Sequence, residues 1–114
     1  MTGAHPHRRL RARLSVAVLK PGRSGFYSTP LDLVLDQMGA KTLVLAGLTT
    51  DQCVFATASD AQLRKFRCAV PSDCSAALST VRHERALAVM ADAFNVDVRP
   101  SADIVRHVFA RLRS

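Results

Sequence analysis

Apolar and polar positions alternate along the chain in two different periods. LSVAVLK (14–20) is rich in β-branched residues and predicts a strand. STPLDLVLDQMGA (28–40) changes to a helical spacing, with Leu31, Val34, Leu35 and Met38 on one face. Thr29 is placed to cap that helix, Pro30 to open it, Asp32 to complete a box-like pair with Thr29, and Gly39 to stop it. TLVLAGL (42–48) is a continuous apolar run of the kind a buried parallel strand shows. A second helix is expected from about Asp51 to Phe66, with Ala56, Ala58 and Ala61 allowing close approach to a sheet. CAVPSD (68–73) predicts a third strand. Thr80 to Phe94 predicts a helix with His83, Leu87, Met90 and Phe94 on one face. VDV (96–98) is a short fourth strand, and Ser101 is placed to cap a last helix using Ile104, Val105, Val108, Phe109 and Leu112.

This βαβαβαβα order with short connections predicts an α/β fold, a three-layer αβα sandwich around an open, mostly parallel sheet. In such folds ligands bind outside the carboxyl ends of the strands. Lys20 and the turn GLTTDQC (47–53) both fall at carboxyl ends, so both are expected on the same rim. Residues 1–13 form a basic tail, expected to be disordered, and 14–114 form the domain.

Charge and cysteine usage narrow the function. The net charge is +7, but Arg8, Arg9, Arg11 and Arg13 at one end and Arg106, Arg111 and Arg113 at the other carry that excess. Between residues 16 and 105 nine basic and nine acidic residues cancel. Only five Phe and one Tyr are present to interleave with basic groups, so no specific nucleic-acid partner is expected. SVAVL is too short for a secretory hydrophobic region, and the longest apolar run is too short to span a bilayer. A cytoplasmic location without membrane attachment is expected. Cys53, Cys68 and Cys74 form no CxxC pair, and His5, His7, His83 and His107 have no partner at metal spacing. Neither metal nor another cofactor is expected.

Cys53 stands where an apolar run ends and a helix begins. With Thr50 as the cap, its sulfur would lie among unpaired N–H groups at the positive end of the helix, which favours thiolate and prepares a nucleophile. The same N–H groups can stabilise an oxyanion. Position alone leaves a buried structural cysteine equally open.

The stretches VLKPGRSGFYSTPLDLVL, TLVLAGLTTDQCVFATASDA and CAVPSDCSAAL followed by HERALAVM change that balance. In order, spacing and placement they resemble the isochorismatase-like cysteine hydrolases, which include nicotinamidases, N-carbamoylsarcosine amidohydrolases and ureidoacrylate hydrolases. The resemblance covers about Val16 to Val105. It implies an Asp–Lys–Cys triad acting on amides, with Cys53 as nucleophile and Lys20 as the triad lysine. It also implies a cis peptide at Leu48–Thr49, which would give the oxyanion to the amides of Thr49 and Cys53. Arg23 and Phe26 would either line the substrate pocket or fold the loop. Cys68 and Cys74 read as structural, and His83 as a packing or surface residue at a position where the family often has histidine.

One part of the pattern is missing. The family aspartate ends the first strand, and this chain has no Asp or Glu before Asp32. Asp51 is a poor substitute, since a carboxylate there opposes a thiolate. The metal-binding Asp and His residues of nicotinamidases belong to the same absent portion. An N-terminally truncated hydrolase domain is expected, impaired in its action on C–N bonds of small amides, with an exposed sheet edge that favours homo-oligomers. The alternative is a non-catalytic family member serving as a binding or oligomerisation module.

Overall fold

The computed structural model describes residues 17–113. The order of elements is α1 (Leu31–Met38), β1 (Thr42–Val44), β2 (Gly47–Leu48), a π-helical turn (Thr50–Val54), α2 (Phe55–Leu63), β3 (Arg67–Ala69), β4 (Ser75–Ala76), α3 (Thr80–Ala93) and α4 (Ser101–Arg113). It is an open α/β fold of parallel strands, paired among the described residues as two two-stranded sheets, β1–β3 and β2–β4. The pairing β1–β3 matches Leu43 with Cys68, and β2–β4 matches Leu48 with Ala76.

The apolar run 42–48 forms two short strands instead of one. At Gly47 φ is +122°, a conformation that L side chains rarely adopt. The chain bends there and changes partner from β3 to β4. CAVPSD is shorter than expected because Pro71 has no N–H for a ladder. VDV joins the sheet through a single parallel bridge, Ala69 to Asp97, with Val70 N donating to Asp97 O and Asp97 N to Cys68 O.

The strand expected at 14–20 is not formed within the described residues. Residues 17–20 are irregular, and no strand among the described residues lies beside them to exchange backbone hydrogen bonds. Residues 14–16 and the basic tail lie outside the described residues.

Helix boundaries follow local chemistry more closely. Gly39 takes the left-handed conformation (φ 69°), and Ala40 N donates to Leu35 O at 3.0 Å, a Schellman stop. Leu31 N donates to the Thr29 hydroxyl, but Pro30 occupies the capping position. Asp32 makes no box with Thr29. Its carboxylate accepts from Arg64 Nε at 3.1 Å, and the Arg64 guanidinium carbon lies 4.7 Å from the centre of the Phe26 ring. Arg64 thereby fastens α1 and the preceding loop to the end of α2. Ser79 caps α3 by accepting from Arg82 N. The start of α4 is held from another loop: Ser101 donates from both N and Oγ to the Asp73 carboxylate, at 2.9 and 2.8 Å. These bonds lower the Asp73 pKa below its ordinary value.

The core gathers Val54 and Ala58 from the turn and α2, Val70 beyond β3, Ala86, Leu87 and Met90 from α3, and Val96. Among the described side chains of α4, Ile104 is buried while Val105 and Val108 remain exposed; the expected contributions of Phe109 and Leu112 lie outside the described side chains. Burying α2 and α3 against β3 sets the turn 49–54 at the carboxyl end of β2. Met90 is fully buried at the centre. Met90→Ala is expected to lower unfolding free energy by about 2–5 kcal/mol, read from urea denaturation followed by circular dichroism.

Candidate active site

The loop after residue 20 folds back over the start of α2. Gly25 N donates to Thr57 Oγ1 at 2.9 Å, and Thr57 Oγ1 donates to Cys53 O at 2.8 Å. Arg23 Nε donates to Gln52 Oε1 at 2.9 Å. These contacts bring Lys20 onto the turn, where its Nζ donates to Cys53 Sγ at 3.3 Å and to Gly22 O at 3.1 Å. The two residues singled out from sequence are therefore in direct contact on one rim. Cys53 is half-buried and Lys20 exposed, so the pair is open to solvent.

The turn itself differs from the expected helix start. The Leu48–Thr49 peptide is cis. Thr49, not Thr50, occupies the capping position, with an extended backbone and no side-chain cap bond. Thr49 O accepts from both Gln52 N (3.2 Å) and Val54 N (3.1 Å), the second being the wide π-type closure. Thr50 is fully buried. Its hydroxyl lies 2.7 Å from His83 Nδ1 and 3.1 Å from Ser75 Oγ, while His83 Nε2 lies 2.9 Å from Ser72 O. His83 is thus half-buried with both ring nitrogens engaged, more than a packing residue. Nothing in local spacing signals this contact, because 33 residues separate its partners.

Arg23 flanks the pair through Gln52. Phe26 does not line an open pocket: it is 3% exposed and packs against Phe66, with ring centroids 5.9 Å apart. Its aromatic face is already occupied by Arg64. Asp51 is half-buried, and among the described residues no carboxylate hydrogen-bonds or ion-pairs with Lys20 or Cys53. No group of three or more His, Cys, Asp or Glu side chains suited to a metal occurs among the described residues.

The other thiols are placed differently. Burial pushes the Cys68 thiol up to about 11. Cys74 is half-buried, with its sulfur 3.6 Å from Asp73 Oδ1. A groove of about 1040 Å³ runs beside Thr42, Val44, Cys68, Ile104 and Val108, and includes neither Lys20 nor Cys53. It is space beside an uncovered strand, and its one thiol is held protonated. Among the described residues, Lys20 and Cys53 are where a cation meets a solvent-open thiol.

Residues 2–102 match the family model described as the isochorismatase domain. Among curated proteins, the isochorismatase family protein YaaI of Bacillus subtilis is 30% identical over 77% of this chain and 49% of its own length. The ureidoacrylate amidohydrolase RutB of Methylorubrum extorquens is 43% identical over 45% of this chain and 21% of its own length. Among solved structures, N-carbamoylsarcosine amidase from Thermoplasma acidophilum superposes with a TM-score of 0.66 at 35% identity, covering 74% of this chain and 47% of that one. The chain spans about half or less of the length of these relatives.

The three thiols are expected to separate in reactivity. Raised from 9.0 to about 11, Cys68 carries roughly a hundredth of an ordinary thiol's thiolate at pH 8. Under limiting iodoacetamide, peptide mass spectrometry is expected to find Cys53 and Cys74 carboxamidomethylated well before Cys68.

Proposed function

This chain belongs to the isochorismatase family, and from that premise we propose that it is a cysteine hydrolase acting on C–N bonds of small amides, with Cys53 as nucleophile. The observation that carries this reading is the Lys20 Nζ–Cys53 Sγ contact of 3.3 Å at the solvent-open carboxyl end of the sheet. An ammonium donating to sulfur favours negative charge there, and a thiolate is the attacking form of cysteine. The relatives named for amide substrates support the same bond class.

In the proposed reaction Cys53 Sγ adds to the amide carbonyl carbon. The carbonyl oxygen takes the negative charge, facing the amides of Thr49 and Cys53. Collapse of this adduct re-forms the carbonyl as a thioester and breaks the C–N bond, the nitrogen leaving as the amine with a proton taken from solvent water. Water then hydrolyses the thioester and returns the sulfur. Arg23, held by Gln52 beside the nucleophile, supplies a cation at the edge of the site.

Lys20 stabilises charge but is no base while it remains an ammonium, and no described carboxylate contacts the pair. General-base help is commonly worth ~10²–10⁴-fold, so turnover by this chain is proposed to be slow by about that factor. Three free cysteines fit a reducing, cytoplasmic setting. A panel of small amides, incubated with the protein and followed by intact mass, is expected to leave an acyl adduct on Cys53 that Cys53→Ala abolishes. Lys20→Met is expected to slow adduct formation by about tenfold or more. Identical behaviour of wild type and Cys53→Ala would overturn the reading.

A second reading rests on surface. Val44 is 57% exposed and Leu48 71%, and the edge of β1 away from β3 has no ladder partner among the described residues. We propose that this edge mediates self-association. Sedimentation velocity is expected to show mass rising with concentration, and Val44→Lys to reduce it. A monomer at all concentrations would count against this assembly.

A further inference from the structure

The turn bearing Cys53 is held from below by side chains that the proposed chemistry does not use. His83 Nε2 faces a carbonyl, Ser72 O, at 2.9 Å, so Nε2 carries the ring proton of the neutral imidazole. Nδ1 is then a lone pair and accepts the Thr50 hydroxyl proton across 2.7 Å. Because that proton is committed, the Thr50 oxygen receives the hydroxyl proton of Ser75 across 3.1 Å. One imidazole thereby sets the direction of two hydroxyl bonds and joins the loop at 72, β4, α3 and the turn Thr50–Val54. Thr50 is 0% exposed, so water does not replace a lost partner there.

Thr50 is the first residue of that turn, and Cys53 the fourth. With no side-chain bond capping the turn at Thr49, the buried Thr50 hydroxyl anchors the first residue of the turn from below, while Arg23 and Thr57 hold Gln52 and Cys53 from the loop side. Resting on the hydrolase reading of the same site, we propose that His83 is a positioning residue whose Nδ1, through the Thr50 hydroxyl, fixes the turn that presents the Cys53 sulfur to Lys20. Its bond to Ser72 orients the ring, and its bond to Thr50 does the positioning.

The two nitrogens can be tested separately. An asparagine amide reaches about as far as Nδ1 and retains a partner for Thr50, whereas glutamine reaches toward Nε2 and retains the bond to Ser72 O. The full chain and its His83→Asn, His83→Gln, Thr50→Ser and Thr50→Val variants are alkylated with iodoacetamide. Rates at Cys53 are read by peptide mass spectrometry, with Cys68 as the reporter of general loosening. His83→Asn is expected to recover most of the wild-type rate and Thr50→Ser likewise. His83→Gln and Thr50→Val are expected to lose about tenfold at Cys53, the scale of separating a thiolate from its cation, while Cys68 stays slow. Equal losses in His83→Asn and His83→Gln, an unchanged rate in Thr50→Val, or Cys68 accelerating in step would overturn the proposal. Where His83→Gln fails to fold, the Thr50 pair decides alone. The hydrolase reading has a separate readout: an alkylation pattern as expected with no acyl adduct sinks that reading only, and an adduct without the pattern sinks only the positioning role.

Discussion

The ammonium of Lys20 and the sulfur of Cys53 meet across a sequence separation of 33 residues, and the placement of the surrounding segments is organised around that meeting. Neither residue could reach the other from a regular element alone. The cysteine needs a strand that ends in a turn, and the lysine needs a loop folded over the following helix. Thr57 supplies part of this by accepting from Gly25 N and donating to Cys53 O, so one hydroxyl touches both sides of the contact. The parallel pairing of β2 with β4 supplies the rest by setting the height of the turn against the sheet. A cation on a thiol is useful only where water and substrate can enter, and the exposure of Lys20 meets that requirement.

The three cysteines show how one side chain acquires different chemistry from its surroundings. Cys68 lies in a strand whose neighbours exclude water, and it is held as a thiol. Cys74 lies in a loop beside a carboxylate, a neighbour of the wrong sign to stabilise a thiolate. Among the described residues, Cys53 alone of the three has a cation within hydrogen-bonding distance. Sequence position alone leaves Cys53 evenly balanced between nucleophile and structural residue; it is the family resemblance that singles it out and reads Cys68 and Cys74 as structural.

Much of the fold was legible because its signals are local. Gly39 ended its helix as glycine spacing predicts, and the helix over 80–93 buries Leu87 and Met90 of its apolar face, whereas of the face expected on the last helix Ile104 is buried and Val105 and Val108 are exposed. The strands were less legible. A strand exists only with a partner, and nothing within LSVAVLK reveals that its described part has none. The run 42–48 reads as one strand because its composition is uniform, whereas the bend at Gly47 depends on which neighbour each half finds. For the site, Cys53, Lys20 and the cis peptide stood on a resemblance carried by motifs. Phe26 stayed open between pocket wall and loop anchor because an aromatic residue near Lys20 carries no local mark to distinguish the two, and packing against Phe66 decides it. The bonds of Thr50 to His83 and Ser75 were invisible for the same reason: no periodicity links residues brought together only by tertiary packing.

Arg64 joins three segments at once, accepting no protons and giving them to Asp32 and to the Asp60 carbonyl while its plane covers Phe26. A lysine there would keep the charge but lose the flat, forked geometry that lets one group do both. Its location makes it a clasp at the far end of the helix that begins beside Cys53. Loosening that clasp frees the base of the same loop whose other end carries Lys20. The Lys20–Cys53 contact is thus tied, through one loop and one helix, to a guanidinium held at their far ends.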